Sequence, residues 1–238
     1  MTERSMQEAK YTQYNPDPDE SHEKVLALVG PGTRVVEIGC ATGYLTERLE
    51  ARGCEVLAVE PNAAAAAVAS GRCRQVHCGY VEDIVSEGTL GYFDSALLVD
   101  VLEHVVDRDA FMTTVMTLLR PEGRVIMSLP NIAHWTARWE VLRGRFPYRS
   151  HGLFDDTHVR FYTRASLTSF LAAHGLVVVS WGQTLGLHEY RPVPPRVERV
   201  IAASWYRRKL LRWSARWWPE LYAYQFVVVA ARSAGGER

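Results

Sequence analysis

The sequence predicts an α/β protein: a doubly wound, mostly parallel seven-stranded sheet with helical or loop insertions after strands five and six. Three observations carry that reading. Between residues 20 and 130, short apolar runs alternate with helix-patterned stretches five times, at the close spacing of βα units. One run, Phe93–Val99, is almost continuously apolar, as in a strand buried on both faces. The first run ends in a glycine turn, Glu37-Ile38-Gly39-Cys40-Ala41-Thr42-Gly43, of the kind that passes a strand into a helix.

Taken in order, residues 1–19 are polar and carry Tyr11, Tyr14, Asn15, Pro16 and Pro18. They read as an extended arm, either a loose terminus or a flap whose tyrosines close over a ligand. Ser21 is placed as a helix cap, with Val25, Leu26, Leu28 and Val29 as the apolar face and Gly30-Pro31-Gly32 as the stop. Strand one is Arg34–Ile38, and the helix after Gly43 reaches about Arg52. Strand two, Glu55–Val59, ends at Glu60-Pro61-Asn62 and leads into an alanine-rich helix. Strand three is Arg74–Cys78, strand four Phe93–Val99 closed by Asp100. A helix over Ala110–Leu119 meets a turn at Pro121-Glu122-Gly123, and strand five is Arg124–Leu129.

Residues 131–162 break this rhythm and are read as a helix over Ala133–Leu142 followed by a loop lying over the site. Thr163 caps the next helix, and strand six is Leu176–Trp181. A second insertion, 183–220, holds a helix over Arg196–Trp218, and Tyr222–Ala231 is the last strand. The chain is thus one domain over 1–238, with an arm at 1–19, a core at 20–130, and insertions at 131–162 and 183–220.

Composition narrows the function classes. Twenty-seven basic and 27 acidic residues cancel, which argues against a dedicated nucleic-acid binder. No apolar run approaches the ~18 residues of a membrane span, and MTERSMQEAK lacks a signal-peptide core, so a cytoplasmic protein is expected. Cys40, Cys54, Cys73 and Cys78 read as free, buried thiols of a reducing compartment. No CxxC pair is present, and no metal is expected.

The glycine turn has the pattern Glu-x-Gly-x-x-x-Gly. It lacks both the Gly-x-Gly-x-x-Gly that admits a pyrophosphate and the GxxxxGK[ST] of a triphosphate site. Its leading acid repels phosphate and suits a ligand with a cationic amine. Glu60, at the end of strand two, is placed to accept from both hydroxyls of a ribose. In a doubly wound sheet, ligands sit beyond the carboxyl ends of the strands, which puts Glu37–Gly43, Glu60, Glu82-Asp83 and Asp100 at one site.

These segments together resemble the class I S-adenosylmethionine-dependent methyltransferases. Val35–Gly43 is similar to that family's glycine motif, Glu60 to its ribose acid, and Gly79–Asp83 to the segment beside the adenine. Asp100-Val101-Leu102-Glu103-His104-Val105 is similar to the segment after strand four in the ubiquinone-biosynthesis type. The resemblance runs from about Val25 to Leu129 and includes the closing strands. It implies a Rossmann-like fold and S-adenosyl-L-methionine as cofactor. It further implies that Glu37 orients the methionine amino group, and that Gly39, Cys40 and Gly43 contact the methionyl and ribosyl parts. Val81, Glu82 and Asp83 would lie at the adenine and Asp100 at the methionine end. Tyr80 stands where many relatives have aspartate.

For the chemistry, His104, four residues past Asp100, is the first candidate base for an acceptor hydroxyl or amine. His134, His151 and His158 follow it. Gly144-Arg145-Phe146-x-Tyr148 and Thr157-His158-x-Arg160-Phe161 resemble a segment of methyltransferases of bacterial polysaccharide and secondary-metabolite pathways. Asp156 and His158 either touch an acceptor or tie the loop to the sheet. The expected reaction is methyl transfer to a small-molecule acceptor, with a hydroxyl of a sugar-like or secondary metabolite favoured. N-methylation of an amine, or a non-catalytic partner subunit that keeps the cofactor pocket, are the alternatives. The Arg- and Trp-rich stretch 191–218 is read as a lid, a homodimer face, or a contact with a membrane surface or anionic partner.

Overall fold

The computed structural model describes residues 13–86, 88–186 and 205–233. Its sheet has seven strands in the order β3-β2-β1-β4-β5-β7-β6. These are β1 Arg34–Ile38, β2 Glu55–Glu60, β3 Val76–Cys78, β4 Phe93–Val99, β5 Leu119–Pro130, β6 Leu176–Gln183 and β7 Gln225–Arg232. The first five run parallel, and β7 inserts antiparallel between β5 and β6. The strand order therefore reverses between β1 and β4, where such sheets open a crevice.

Helices cover both faces: α1 Ser21–Leu28, α2 Tyr44–Ala51, α3 Ala63–Ser70, α4 Arg108–Leu118, α5 Trp135–Leu142, α6 Arg164–Ala173 and α7 Trp205–Trp217. On one face, α4 and α6 bury Met112, Val115, Leu167 and Leu171 against Val36, Leu98 and Met127. On the other, α1 and α2 bury Val25, Leu45 and Leu49 against Val35, Val56 and Ile126. Alternate residues of one strand thus serve opposite layers, as the two-residue period of a strand requires.

Several expectations about boundaries are corrected. Ser21 is the first helical residue of α1; Glu20 holds the cap position and makes no side-chain cap bond. β3 begins at Val76, not Arg74. Pro121-Glu122-Gly123 does not separate helix from strand: β5 starts at Leu119 and carries the segment as a bulge, its register slipping between Phe93↔Leu119 and Ser95↔Arg124. α5 starts at Trp135 because the His134 ring takes the cap position and accepts from the Thr136 amide. The last strand starts at Gln225, since Pro219–Tyr222 forms a helical turn with proline at its start. Thr163 does cap α6, in a reciprocal box with Ser166. All four cysteines are free; Cys40, Cys54 and Cys73 are buried, but Cys78 is exposed. Tyr11 and the 196–204 part of the expected long helix lie outside the described residues. Among the described residues no helix is long and apolar enough to cross a membrane.

The first insertion is tied down by polar groups. Asn131, fully buried, donates from Nδ2 to the Glu220 and Ala223 carbonyls at 3.0 and 2.8 Å, and its Oδ1 accepts from the Ala133 amide at 3.0 Å. Asp155, also fully buried, accepts from the Thr157 amide and hydroxyl at 2.9 and 2.6 Å. The Val159 and Arg160 amides donate to the Glu103 carbonyl, which fastens the loop over the end of β4. Asp156 is exposed. Substituting Asn131→Ala leaves the buried Ala223 carbonyl, the Glu220 carbonyl and the Ala133 amide short of a partner. Urea denaturation should show unfolding free energy lower by about 2–3 kcal/mol; a change under ~0.5 kcal/mol would mean these bonds do not hold the insertion.

Candidate functional site

A cavity of about 1010 Å³ opens beyond the carboxyl ends of β1, β2 and β4. Its floor is the glycine turn. Gly39 and Gly43 adopt φ of 75° and 76°, and Ala41 a φ of 50°, a region costly for a residue with a Cβ. A Cβ at Gly39 would lie 2.7 Å from Val101 Cγ2, and one at Gly43 2.5 Å from Cys73 Sγ. The first glycine keeps the cavity side clear, and the second lets α2 approach α3.

Glu60 fixes this turn. One carboxylate oxygen accepts from the Ala41 amide at 2.8 Å and the other from the Asn62 amide at 2.9 Å. Each oxygen keeps lone pairs for a further donor. Glu37 lies beneath the turn, 3 % exposed, and accepts from the Thr46 hydroxyl at 2.6 Å. Burial pushes its carboxyl up to about 7; Glu50 and Glu60 add to the shift, and the Thr46 bond opposes it.

The opposite wall is built on Asp100. This residue sits at φ 55°, strained for a non-glycine, at the end of β4. Its Oδ1 accepts from Ser128 Oγ and Gln225 Nε2, both at 2.8 Å. Burial raises its carboxyl above the ordinary range, opposed by Ser128, His22, Gln225 and His104. Glu103, 1 % exposed, also lines the cavity, and neither carboxylate oxygen has a hydrogen-bond partner among the described residues. Burial, then Asp100 and Asp155, hold it well above the usual carboxylate range.

Two histidines stand beside Glu103. His104 Nδ1 lies 3.2 Å from the Thr157 carbonyl. A carbonyl can only accept, so Nδ1 carries the hydrogen and Nε2 keeps its lone pair. The His158 ring packs edge-on to it at 4.9 Å. Ligand atoms of Glu103, His104 and His158 lie within 4.8 Å of one another, a set able to hold a cation.

The arm and the start of α1 supply the remaining wall, through Gln13 and Asn15 and through Glu20 and His22. His22 Nδ1 accepts from the Asn15 amide at 2.9 Å, and its ring stacks between Tyr14 and Tyr44. Burial lowers its basicity, against the pull of Asp100 and Glu23. Tyr14 does not lie over the cavity as a free flap: its hydroxyl donates to Glu23 at 2.7 Å and Arg48 covers its ring.

Of the residues expected from sequence, Gly39, Glu60, Val81, Glu82, Asp100, His104 and His158 come together on the cavity wall. Glu37, Cys40, Gly43 and Asp83 stand behind it. The Cys40 side chain packs on Ala58 and Ala69, and Asp83 Oδ2 accepts from the Tyr80 amide. His134 is set apart from the wall. It is buried at the start of α5, its Nδ1 2.9 Å from Thr136 Oγ1, and burial lowers its ring to about 4. His22, Tyr44, Glu103 and Gln225 line the cavity without having been singled out. Only Glu103 had a sequence signal, its place between Asp100 and His104.

Residues 9–181 match the family described as a methyltransferase domain. A ubiquinone biosynthesis O-methyltransferase of Bradyrhizobium diazoefficiens is 32 % identical over 155 residues, 62 % of this chain and 59 % of the relative. One of Xanthomonas oryzae pv. oryzae is 34 % identical over 106 residues, 42 % of this chain and 44 % of the relative. The chain thus spans less than two thirds of the length of the curated relatives it matches. Among solved structures, the 1,6-didemethyltoxoflavin-N1-methyltransferase of Burkholderia thailandensis superposes with a TM-score of 0.55 at 18 % identity, covering 89 % of this chain and 76 % of that one. The magnesium protoporphyrin IX methyltransferase of Synechocystis PCC 6803 gives 0.59 at 16 %, covering 89 % and 82 %. At these identities the structures share the fold.

Glu37 makes a pH dependence expected. Its folded-state value, about 7, lies above the ordinary 4.5, so the folded protein binds the extra proton between those values. Its stabilising contribution is full below pH ~4.5 and is lost as pH rises through ~7, about 3 kcal/mol at most. Glu37→Gln should remove that component, so that denaturation curves for variant and wild type diverge across this window. Parallel pH profiles would contradict the assignment.

Proposed function

The chain belongs to the S-adenosylmethionine-dependent methyltransferases, and from that premise we propose that it methylates a hydroxyl of a small-molecule acceptor, sugar-like or a secondary metabolite. The observation that carries this reading is the pairing, across one cavity, of a donor-side anchor, Glu60, with an imidazole nitrogen left free to take a proton, His104 Nε2. The oxygen preference draws support from the curated relatives, which are named as O-methyltransferases.

The residues present suit the donor. Gly39 leaves room where a Cβ would strike Val101, and Glu60 faces the cavity with acceptor capacity to spare for a ribose. Val81 and Glu82 line the adenine side, and Asp100 the methionine side. Glu37, from beneath, fixes the turn through Thr46 rather than by lining the wall. S-adenosylmethionine, when bound, supplies a methyl carbon already activated by its sulfonium. The protein's work is then to hold the acceptor oxygen in line and to take its proton. His104 Nε2 would accept that proton while the bound donor supplied the methyl group to the acceptor oxygen. The fixed Nδ1–H to Thr157 holds the ring in the tautomer this requires.

His104→Ala should lower turnover by roughly 10²-fold or more while cofactor affinity stays within about two-fold. The assay is transfer of a labelled methyl group to a panel of hydroxylated and amino metabolites and glycans, with the product identified by mass. Turnover within a few-fold of wild type would place the proton acceptor elsewhere. Label found only on nitrogen would replace the hydroxyl reading by an amine one.

A further inference from the structure

The cavity leaves α7 unexplained. From Trp205 to Trp217 its sequence, WYRRKLLRWSARW, holds five basic residues and no acid. One side packs inward: Ala215 and Leu211 meet Leu185 and Tyr222. A second side is clamped to the arm. Arg208 bonds Asp17 and Asp19, and Arg212 donates to both oxygens of Asp19 at 2.9 Å. The remaining side carries Leu210, Trp213 and Trp217, continued by Trp218, and these are 61, 52, 65 and 53 % exposed. Their spacing of three and four places them on one helical face. A face of this kind, with tryptophans beside arginines on a helix of low overall hydrophobicity, is that of a helix lying in a membrane interface.

A second observation points to the same ligand. At the end of α7 a cleft of about 460 Å³ is lined by Lys24 of α1, Arg164 of α6 and Arg216 of α7, with no acidic residue among its described lining. Arg164 is held over the Trp181 ring at 4.6 Å, and Gln183 adds a polar wall. Three cations from three helices line one cleft with room for a phosphate group, and Arg216 is the sequence neighbour of the exposed Trp217.

We propose that α7 docks on a bilayer containing anionic phospholipid, with Leu210, Trp213, Trp217 and Trp218 in the interface and a headgroup phosphate seated between Lys24, Arg164 and Arg216. The Asp17–Asp19 clamp joins this helix to the arm whose Asn15 lines the cavity.

The test is co-sedimentation of the full chain with vesicles of phosphatidylcholine alone or with about one third phosphatidylglycerol. Anionic vesicles should pellet at least about five-fold more protein than neutral ones, with a blue shift of tryptophan emission. Trp213→Ser/Trp217→Ser and Arg216→Glu should each cut that pelleting about five-fold or more, while S-adenosylhomocysteine affinity, measured as a check on folding, is unchanged. Equal pelleting on both vesicle types overturns the proposal, as do variants that pellet like wild type. Two further results overturn it: Arg216-dependent binding of inorganic phosphate with no vesicle binding, and a dimer without vesicle binding that the tryptophan variant dissociates.

Discussion

One carboxylate holds the functional end of this molecule together. Glu60 receives one backbone amide from the turn after β1 and one from the start of α3, so two neighbouring strand ends are locked at a single side chain. A charged acceptor makes such bonds stronger than neutral ones. The left-handed residues of the turn, Gly39, Ala41 and Gly43, are tolerable because the turn is pinned from outside as well as by its own amides on the Val59 carbonyl. With the turn fixed, α2 starts where it must and Thr46 reaches Glu37 beneath. The floor of the cavity is therefore a consequence of two acids at two strand ends.

The far wall follows a different logic. Here Asp100, Glu103, His22, His104 and His158 line one wall, and burial sets the protonation of the two acids. Asp100 is compensated by Ser128 and Gln225, so β5 and β7 both contribute to holding it. Glu103 is compensated by nothing among the described residues, though its carbonyl takes two loop amides. A buried carboxyl without a hydrogen-bond partner is costly for stability, and Glu103 carries that cost at the cavity wall.

The core was readable because its signals are local. Apolar runs bounded by glycine, proline and acid marked all seven strands, and the absent Gly-x-Gly, with Glu37 and Glu60, separated a methyl-donor pocket from a dinucleotide one. What escaped was set by contacts distant in sequence. Pro121-Glu122-Gly123 reads as a turn in isolation, and becomes a bulge only because Phe93 pairs with Leu119. The burial of Glu103 is not visible locally: the 159–160 loop, fifty-odd residues on, bonds to its carbonyl. His22 belongs by pattern to a helix start, and reaches the cavity because Arg208 and Arg212, some 190 residues on, anchor the arm that precedes it. His134 had the right residue type after the right strand, but its ring serves the backbone of α5.

Glu60 is the proposed anchor of the donor pocket, and equilibrium titration with S-adenosylhomocysteine tests that role most directly. Glu60→Gln exchanges one acceptor oxygen for a donor that faces backbone amides and cannot accept from the ribose. Calorimetry should show affinity at least about ten-fold weaker than wild type, with the variant still folded by circular dichroism. Binding within about two-fold of wild type would mean that the donor is held somewhere other than the cavity at the ends of β1, β2 and β4.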